Sequence, residues 1–269
     1  MLSTEEKAQF VERGYVIKQI DLDKDVIDRA VDLTWSHVES HFERDNPDSW
    51  VGEIADSCRI APISKRRGRL KFRECVRDTD WLVDMVYGDP QIKGWVESLL
   101  GPKGGPRKKI RGLYPIFPSP TSSYRVEGGM DAHPFQICCI IYLNDTDENC
   151  GEFSLWEGSH RIMKDCFPGK ASWKMLSNMA DLRERAQEEC RHVTFPGPAG
   201  TVILWHHRCL HTPITNRSRH VRHALVADFL QSDWETKRDE PHEADMWADW
   251  AVGEELLKGP ARPGLYAAE

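Results

Sequence analysis

The chain has 269 residues, 40% of them hydrophobic and 29% charged, with a formal net charge of −7. That length suits one large β domain or two small ones and is enough to bury a full core. The acidity argues against general binding to nucleic acid or to an anionic membrane. No apolar run approaches the ~20 residues of a membrane span, and residues 3–12 lack the apolar stretch of a secretory signal. Eight cysteines without a CxxC pair or framework spacing fit reduced thiols in a cytoplasmic protein.

Residues 3–14, STEEKAQFVERG, predict a helix: Ser3 or Thr4 can cap it, Glu5 and Glu6 occupy the first turn, and Gly14 can end it. YVIKQI at 15–20 reads as a strand. Residues 23–43 predict a second helix, from the recurrence of Val26, Ile27, Ala30, Val31, Leu33, Trp35 and Val38. Residues 46–68 have little periodicity and read as loop, and 78–100 as one or two helices ending at Gly101-Pro102. From Lys108 the texture changes. The runs KIRGLYPIF, SSYRV, ICCIIYLND, EFSLWEG, GTVILWHH and HALVADFL are strand-like and separated by turn residues, with a helical insertion at 171–190. Short strands at this rate suggest an antiparallel sandwich or barrel. The expectation is a single domain: a mostly helical layer over 1–107, a barrel core over 108–235 and a tail over 236–269.

Two stretches carry the chemistry. Asp131 and His133 sit two residues apart just before the apolar run ICCIIYL, so on an extended backbone both side chains aim at one point. Far downstream, HHRCLH (206–211) can supply a third ligand. His211 follows directly from the strand GTVILW, while alternation allows only one of His206 and His207 to face inward. Two imidazoles and one carboxylate with open positions suit non-haem Fe(II). Such a centre attracts an anionic chelator, and a dicarboxylate such as 2-oxoglutarate needs a guanidinium at its far end. Arg222, eleven residues after His211, is the candidate, with Ser218 adding a hydroxyl and Arg217 and Arg219 as alternatives. The basic run KRRGRLKFR (65–73) reads either as a solvated edge or as a clamp for an acidic substrate.

These residues resemble the phytanoyl-CoA dioxygenase family. FVERGYVI is similar to its opening, IYLNDTDENCGEFSLWEGSHR to its central strand and GSH turn, and GTVILWHHRCLHTPITNRSRHVRHAL to its distal block. The resemblance covers most of the chain apart from residues 50–106. It implies a mainly β fold with flanking helices, a double-stranded β-helix (jelly roll or cupin-like barrel). It also implies a dioxygenase using Fe(II), 2-oxoglutarate and molecular oxygen on a small, potentially anionic substrate. By this resemblance His211 is the distal metal ligand and Arg222 holds the 2-oxoglutarate carboxylate. Arg111 and Tyr114 could face co-substrate or substrate. One departure stands out. The family's proximal motif is His-x-Asp, and here Gly129 occupies the His place if Asp131 occupies the Asp place. The leading expectation is that Asp131 and His133 ligate in reversed order alongside His211. The alternatives are a weak Asp131–His211 site in a catalytically silent binding protein, a His-only site, or a cupin-like metalloenzyme that needs no 2-oxoglutarate.

Overall fold

The computed structural model describes residues 1–50, 68–119, 128–129, 136–166, 178–237, 240, 246–247 and 249–257. Helix α1 (Thr4–Arg13) starts with a reciprocal capping box, in which Ser3 and Glu6 each accept from the other's backbone N–H. It ends at Gly14, which is left-handed at φ 86°. A Cβ there would lie 2.3 Å from Cys209 Sγ, so the position needs glycine for space as well as conformation. β1 (Tyr15–Gln19) follows directly.

α2 (Lys24–Ser36) is shorter than its expected run to residue 43. Its apolar stripe ends at Val38, and His37 and Val38 donate to carbonyls three residues back, which tightens and closes the last turn. The region 78–100 forms two helices, α3 (Asp80–Tyr87) and α4 (Pro90–Leu100). Asp89 caps the second, accepting from Gln91 and Ile92 N–H, and Pro90 fits its first turn.

The strands form two antiparallel sheets. The larger holds β1, β2 (Gly104–Pro106), β3 (Gly112–Leu113), β4 (Ile137–Tyr142), β7 (Thr201–His206) and β9 (Ala224–Gln231), in the order β1-β7-β4-β9-β2 with β3 also on β9. The smaller holds β5 (Phe153–Trp156), β6 (His192–Phe195) and β8 (His211–Pro213) in the order β6-β5-β8. Alternation sorts each strand of the larger sheet between two cores. Cys138, Ile140, Tyr142, Ile203, Trp205, Ala224 and Val226 meet Phe153, Leu155 and Phe195 between the sheets. Cys139, Ile141, Leu204, Leu225 and Phe229 face the helical layer of α1 to α4. Cys138 and Cys139 thus point to opposite faces, and both are free thiols. A third cluster seats α5 (His160–Met163) and α6 (Met179–Glu189) against Trp156 and Leu210. Short helices α7 (Trp234–Lys237) and α8 (Ala251–Leu257) follow.

This is the antiparallel jelly-roll barrel with an N-terminal helical layer. SSYRV lies outside the described residues. The helical insertion is described as α6 alone.

Candidate functional site

His211 opens β8 and pairs with Leu155 on one side. On its other side it forms an isolated antiparallel bridge with Gly129, Gly129 N–H donating to His211 O at 2.9 Å and His211 N–H to Gly129 O at 3.2 Å. His211 Nδ1 lies 2.8 Å from Cys209 O. A carbonyl can only accept, so Nδ1 carries the proton and Nε2 carries the lone pair, the tautomer a metal ligand requires. The ring sits against Trp205 (centroids 5.3 Å) and Phe153 (5.6 Å).

Its block-mate His206 has a different setting. It is 1% exposed, on the outer face of β7, with ring centroids 5.0 Å from Trp250 and 5.1 Å from Trp247. Its Nδ1 accepts from Arg208 N–H at 3.2 Å. Burial first, then His207, holds its pKa well below the usual imidazole range. It is a neutral packing residue of the helical layer.

Arg222 approaches His211 from the other sheet. β8 belongs to the smaller sheet and β9 to the larger, and the two residues meet on the walls of one cavity of about 110 Å³. Arg222 precedes β9 and is bridged to Ile116. Its side chain is 2% exposed, Nε donates to Gly151 O at 3.0 Å, and buried Nη1 has no partner among the described residues. Desolvation pushes its pKa down to about 10. Trp205, on the same cavity, likewise has a buried Nε1–H with no partner among the described residues.

Arg111 and Tyr114 line this cavity too. Arg111 is committed to Asp228, Nε to Oδ2 at 3.1 Å and Nη2 to Oδ1 at 2.5 Å, with both side chains 6% exposed. Tyr114 OH accepts from Arg73 Nε at 2.7 Å. Ser218, expected to add a hydroxyl to the co-substrate, is not a cavity residue. It donates to Asn216 Oδ1 at 2.7 Å and shapes the β8–β9 loop, whose Asn216 amide in turn bonds Ile116 and His220 carbonyls. Of the alternatives, Arg217 is exposed and Arg219 pairs with Asp48 at 3.4 Å.

The GSH turn is structural. Ser159 Oγ accepts from Leu210 N–H at 2.9 Å, and His160 Nε2 lies 3.1 Å from Val11 O. Asp131 and His133 lie outside the described residues. Gly129 hydrogen-bonds to His211, and Gln136 lies between Phe229 O and His207 N–H, so the backbone is described on both sides of them. Among the described residues alone, no three His, Cys, Asp or Glu side chains gather as a metal site.

Two contributors went unread in the sequence. Trp205 looked like one more apolar residue of a core strand. Asp228 had a signal: it is an acid inside the apolar run HALVADFL, in phase with Arg222, Ala224 and Val226.

Residues 121–224 match the family model described as Phytanoyl-CoA dioxygenase (PhyH). No curated protein matches the chain. Among solved structures, the chain is similar to SnoK, a non-heme alpha ketoglutarate dependent carbocyclase from nogalamycin biosynthesis. The match has TM-score 0.54 at 18% identity and covers 91% of this chain and 95% of that one. It is also similar to EctD from S. alaskensis. The structure of EctD with bound Fe matches at TM-score 0.52 and 16% identity, covering 91% and 83% of the two chains. The structure with 2-oxoglutarate and 5-hydroxyectoine matches at 0.51 and 16%, covering 85% and 76%. Identities this low establish a shared fold. No described helix is long and apolar enough to cross a membrane.

Proposed function

We propose, on the match of residues 121–224 to the phytanoyl-CoA dioxygenase family model, that the chain is a member of that family, an Fe(II)- and 2-oxoglutarate-dependent oxygenase that hydroxylates a small organic substrate. One observation carries this reading. A single small cavity joins an imidazole in the metal-binding tautomer to two buried donors, Arg222 Nη1 and Trp205 Nε1, that have no partner among the described residues. A buried, unsatisfied guanidinium is costly, and a bound carboxylate relieves that cost.

In this reading His211 holds the iron together with Asp131 and His133. Arg222 pairs with the distal carboxylate of 2-oxoglutarate, and Trp205 donates to the same molecule. The cavity suits a small metabolite, being well below the ~300–1,000 Å³ of pockets that take drug-sized ligands. Bound Fe(II) with 2-oxoglutarate supplies the activation of molecular oxygen, coupling decarboxylation of the co-substrate to succinate and carbon dioxide with oxidation of a substrate C–H bond. The chain's own part is placement and exclusion of water. Phe153, Trp205, Ile140 and Val226 wall the cavity with apolar surface. Cys209 O fixes the His211 ring, and Gly151 O fixes the Arg222 stem.

Anaerobic titration of the protein with Fe(II) and 2-oxoglutarate tests the reading. A weak visible charge-transfer band should grow in, and succinate should form once oxygen is admitted. Absence of both overturns the proposal.

A further inference from the structure

The GSH turn reaches His211 through a single peptide. Ser159 Oγ accepts from Leu210 N–H at 2.9 Å. That N–H shares a peptide unit with the Cys209 carbonyl, and Cys209 O accepts from His211 Nδ1 at 2.8 Å. The unit is trans, so its carbonyl and its N–H point in opposite directions from one rigid plane. Ser159 holds one side of the plane and His211 bonds the other. Turning the plane away from Ser159 turns the Cys209 carbonyl away from the imidazole.

The ordinary role of such a serine does not account for the bond. Ser159 starts α5, where a serine hydroxyl commonly caps the helix by accepting from an N–H in its first turn. It makes no side-chain cap bond there, and its hydroxyl goes to Leu210 instead. The peptide units on either side have other anchors. Leu210 O accepts from Trp156 N–H at 3.0 Å and His211 N–H donates to Gly129 O at 3.2 Å, while Cys209 N–H donates to His206 O at 2.9 Å. Ser159 itself is rigidly placed. It is fully buried, its N–H donates to Trp156 O at 3.1 Å, and its carbonyl accepts from Met163 N–H at 2.8 Å. The end of α1 ties down both turns. Arg13 O accepts from Gly158 N–H at 2.9 Å, and Gly14 O accepts from His206 N–H at 2.8 Å and Cys209 Sγ at 3.4 Å.

A neutral imidazole has two tautomers, and the hydrogen bond at one nitrogen decides which is present. Partners of this kind also fix the orientation of a metal-binding ring. We propose that Ser159 is a positioning residue for His211: its hydroxyl, by holding Leu210 N–H, fixes the peptide whose carbonyl keeps the imidazole protonated at Nδ1 and leaves Nε2 to ligate a metal. Without the hydroxyl the peptide turns more freely, Nδ1–H loses its fixed acceptor, and the Nε2–H form gains population. That the metal is the iron of an oxygenase rests on the function proposed above. The tautomer of metal-free His211 does not, so the two can fail separately.

The test is long-range proton–nitrogen NMR of the full-length, metal-free protein labelled with 15N-histidine, at about pH 8, where an ordinary imidazole is neutral. His211→Gln assigns the signal. The parent should show His211 as Nδ1–H. Ser159→Ala should move part of the population to Nε2–H. It should also weaken Co(II), a redox-stable stand-in for Fe(II), by about tenfold, and by no less than the factor by which the Nδ1–H fraction falls. Ser159→Cys, whose thiol is a weak acceptor, should shift both readouts less far in the same direction, and it decides the matter if the alanine variant does not fold. Thr34→Ala is the control for lost stability alone: it removes a buried hydroxyl of α2 that bonds Ala30 O at 2.9 Å, and both readouts should stay at the parent values. An unchanged Nδ1–H signal in the Ser159 variants, an equal shift in Thr34→Ala, or a tautomer shift without loss of Co(II) affinity overturns the proposal. A parent that binds no Co(II), with the tautomer shifting as expected, would leave the hold of Ser159 on the ring standing and remove the oxygenase reading.

Discussion

Arg111 and Arg222 are two buried arginines on one cavity wall, and they have opposite electrostatic settings. Arg111 bonds both oxygens of Asp228. Arg222 has a carbonyl at Nε, an aromatic face of Tyr142 at 5.9 Å, and nothing at Nη1 among the described residues. The first arrangement is closed. Its charge is balanced inside the protein, and its worth lies in keeping the pair intact. The second is open, its balancing charge still to be supplied. On the proposed function, the missing counter-charge is what sets Arg222 apart as the ligand-binding arginine, since burial alone marks both.

The largest effect should come from breaking the closed pair. Arg111→Leu leaves Asp228 buried and uncompensated, so unfolding in denaturant should show a loss of about 3–5 kcal/mol. The double change Arg111→Leu with Asp228→Leu should recover most of it, because replacing both partners removes both desolvation costs. A neutral Arg111→Leu would show that the two arginines are alike after all.

Arg222→Leu should do the reverse. The depression of the Arg222 pKa to about 10 corresponds to about 3 kcal/mol of desolvation carried by the fold at neutral pH, so the variant should be as stable as the parent or more so. Its loss should appear in binding. At a hundredfold excess over Kd, 2-oxoglutarate with Fe(II) in the absence of oxygen should stabilise the parent by about 2.7 kcal/mol and should leave Arg222→Leu unmoved. Protection of the variant equal to that of the parent would assign the co-substrate carboxylate to another cation.

Much of this site was legible before the fold was known, for identifiable reasons. β4, β5, β7 and β9 are buried throughout their length, so their runs of apolar residues stood out. His211 and Arg222 sit at the ends of such runs, where a polar residue is conspicuous. β6 was missed because three of its four residues keep contact with solvent, and β2 because Gly-Gly-Pro at an edge has no apolar pattern. Ser218 was misjudged for another reason. Sequence spacing places it near Arg222, but its hydroxyl satisfies Asn216 within the loop, a local bond that competes with any ligand. The split between Arg111 and Arg222 was not readable either, because the partner Asp228 lies 117 residues from Arg111.

The smallest predicted effect tests the open site through its neighbour. His223 is 6% exposed, and burial first, then the Arg222 charge, pushes its pKa down to about 3. The unfolded imidazole titrates near 6.5. Between these values the unfolded chain binds a proton that the folded chain refuses. The stability is therefore complete above about pH 6.5 and declines as the pH falls toward 3, by about 1.4 kcal/mol per unit for this histidine. His160, buried without charge and also brought to about 3, adds a decline of the same sign. Removing the guanidinium takes away one of the two leading causes acting on His223 and leaves those on His160 in place. Between the two pKa values the slope is set by one proton, so the change shows at the acid end: stability measured by denaturant unfolding from pH 7.5 to 2.5 should fall with acid in the parent and level off at a higher pH in Arg222→Leu. His223→Phe should remove the His223 part of the slope in both backgrounds. If Arg222→Leu left the pH at which the decline levels off unaltered while His223→Phe reduced the decline, the Arg222 charge would be neutralised in the folded protein, and the arginine would have a partner that makes its setting as closed as that of Arg111.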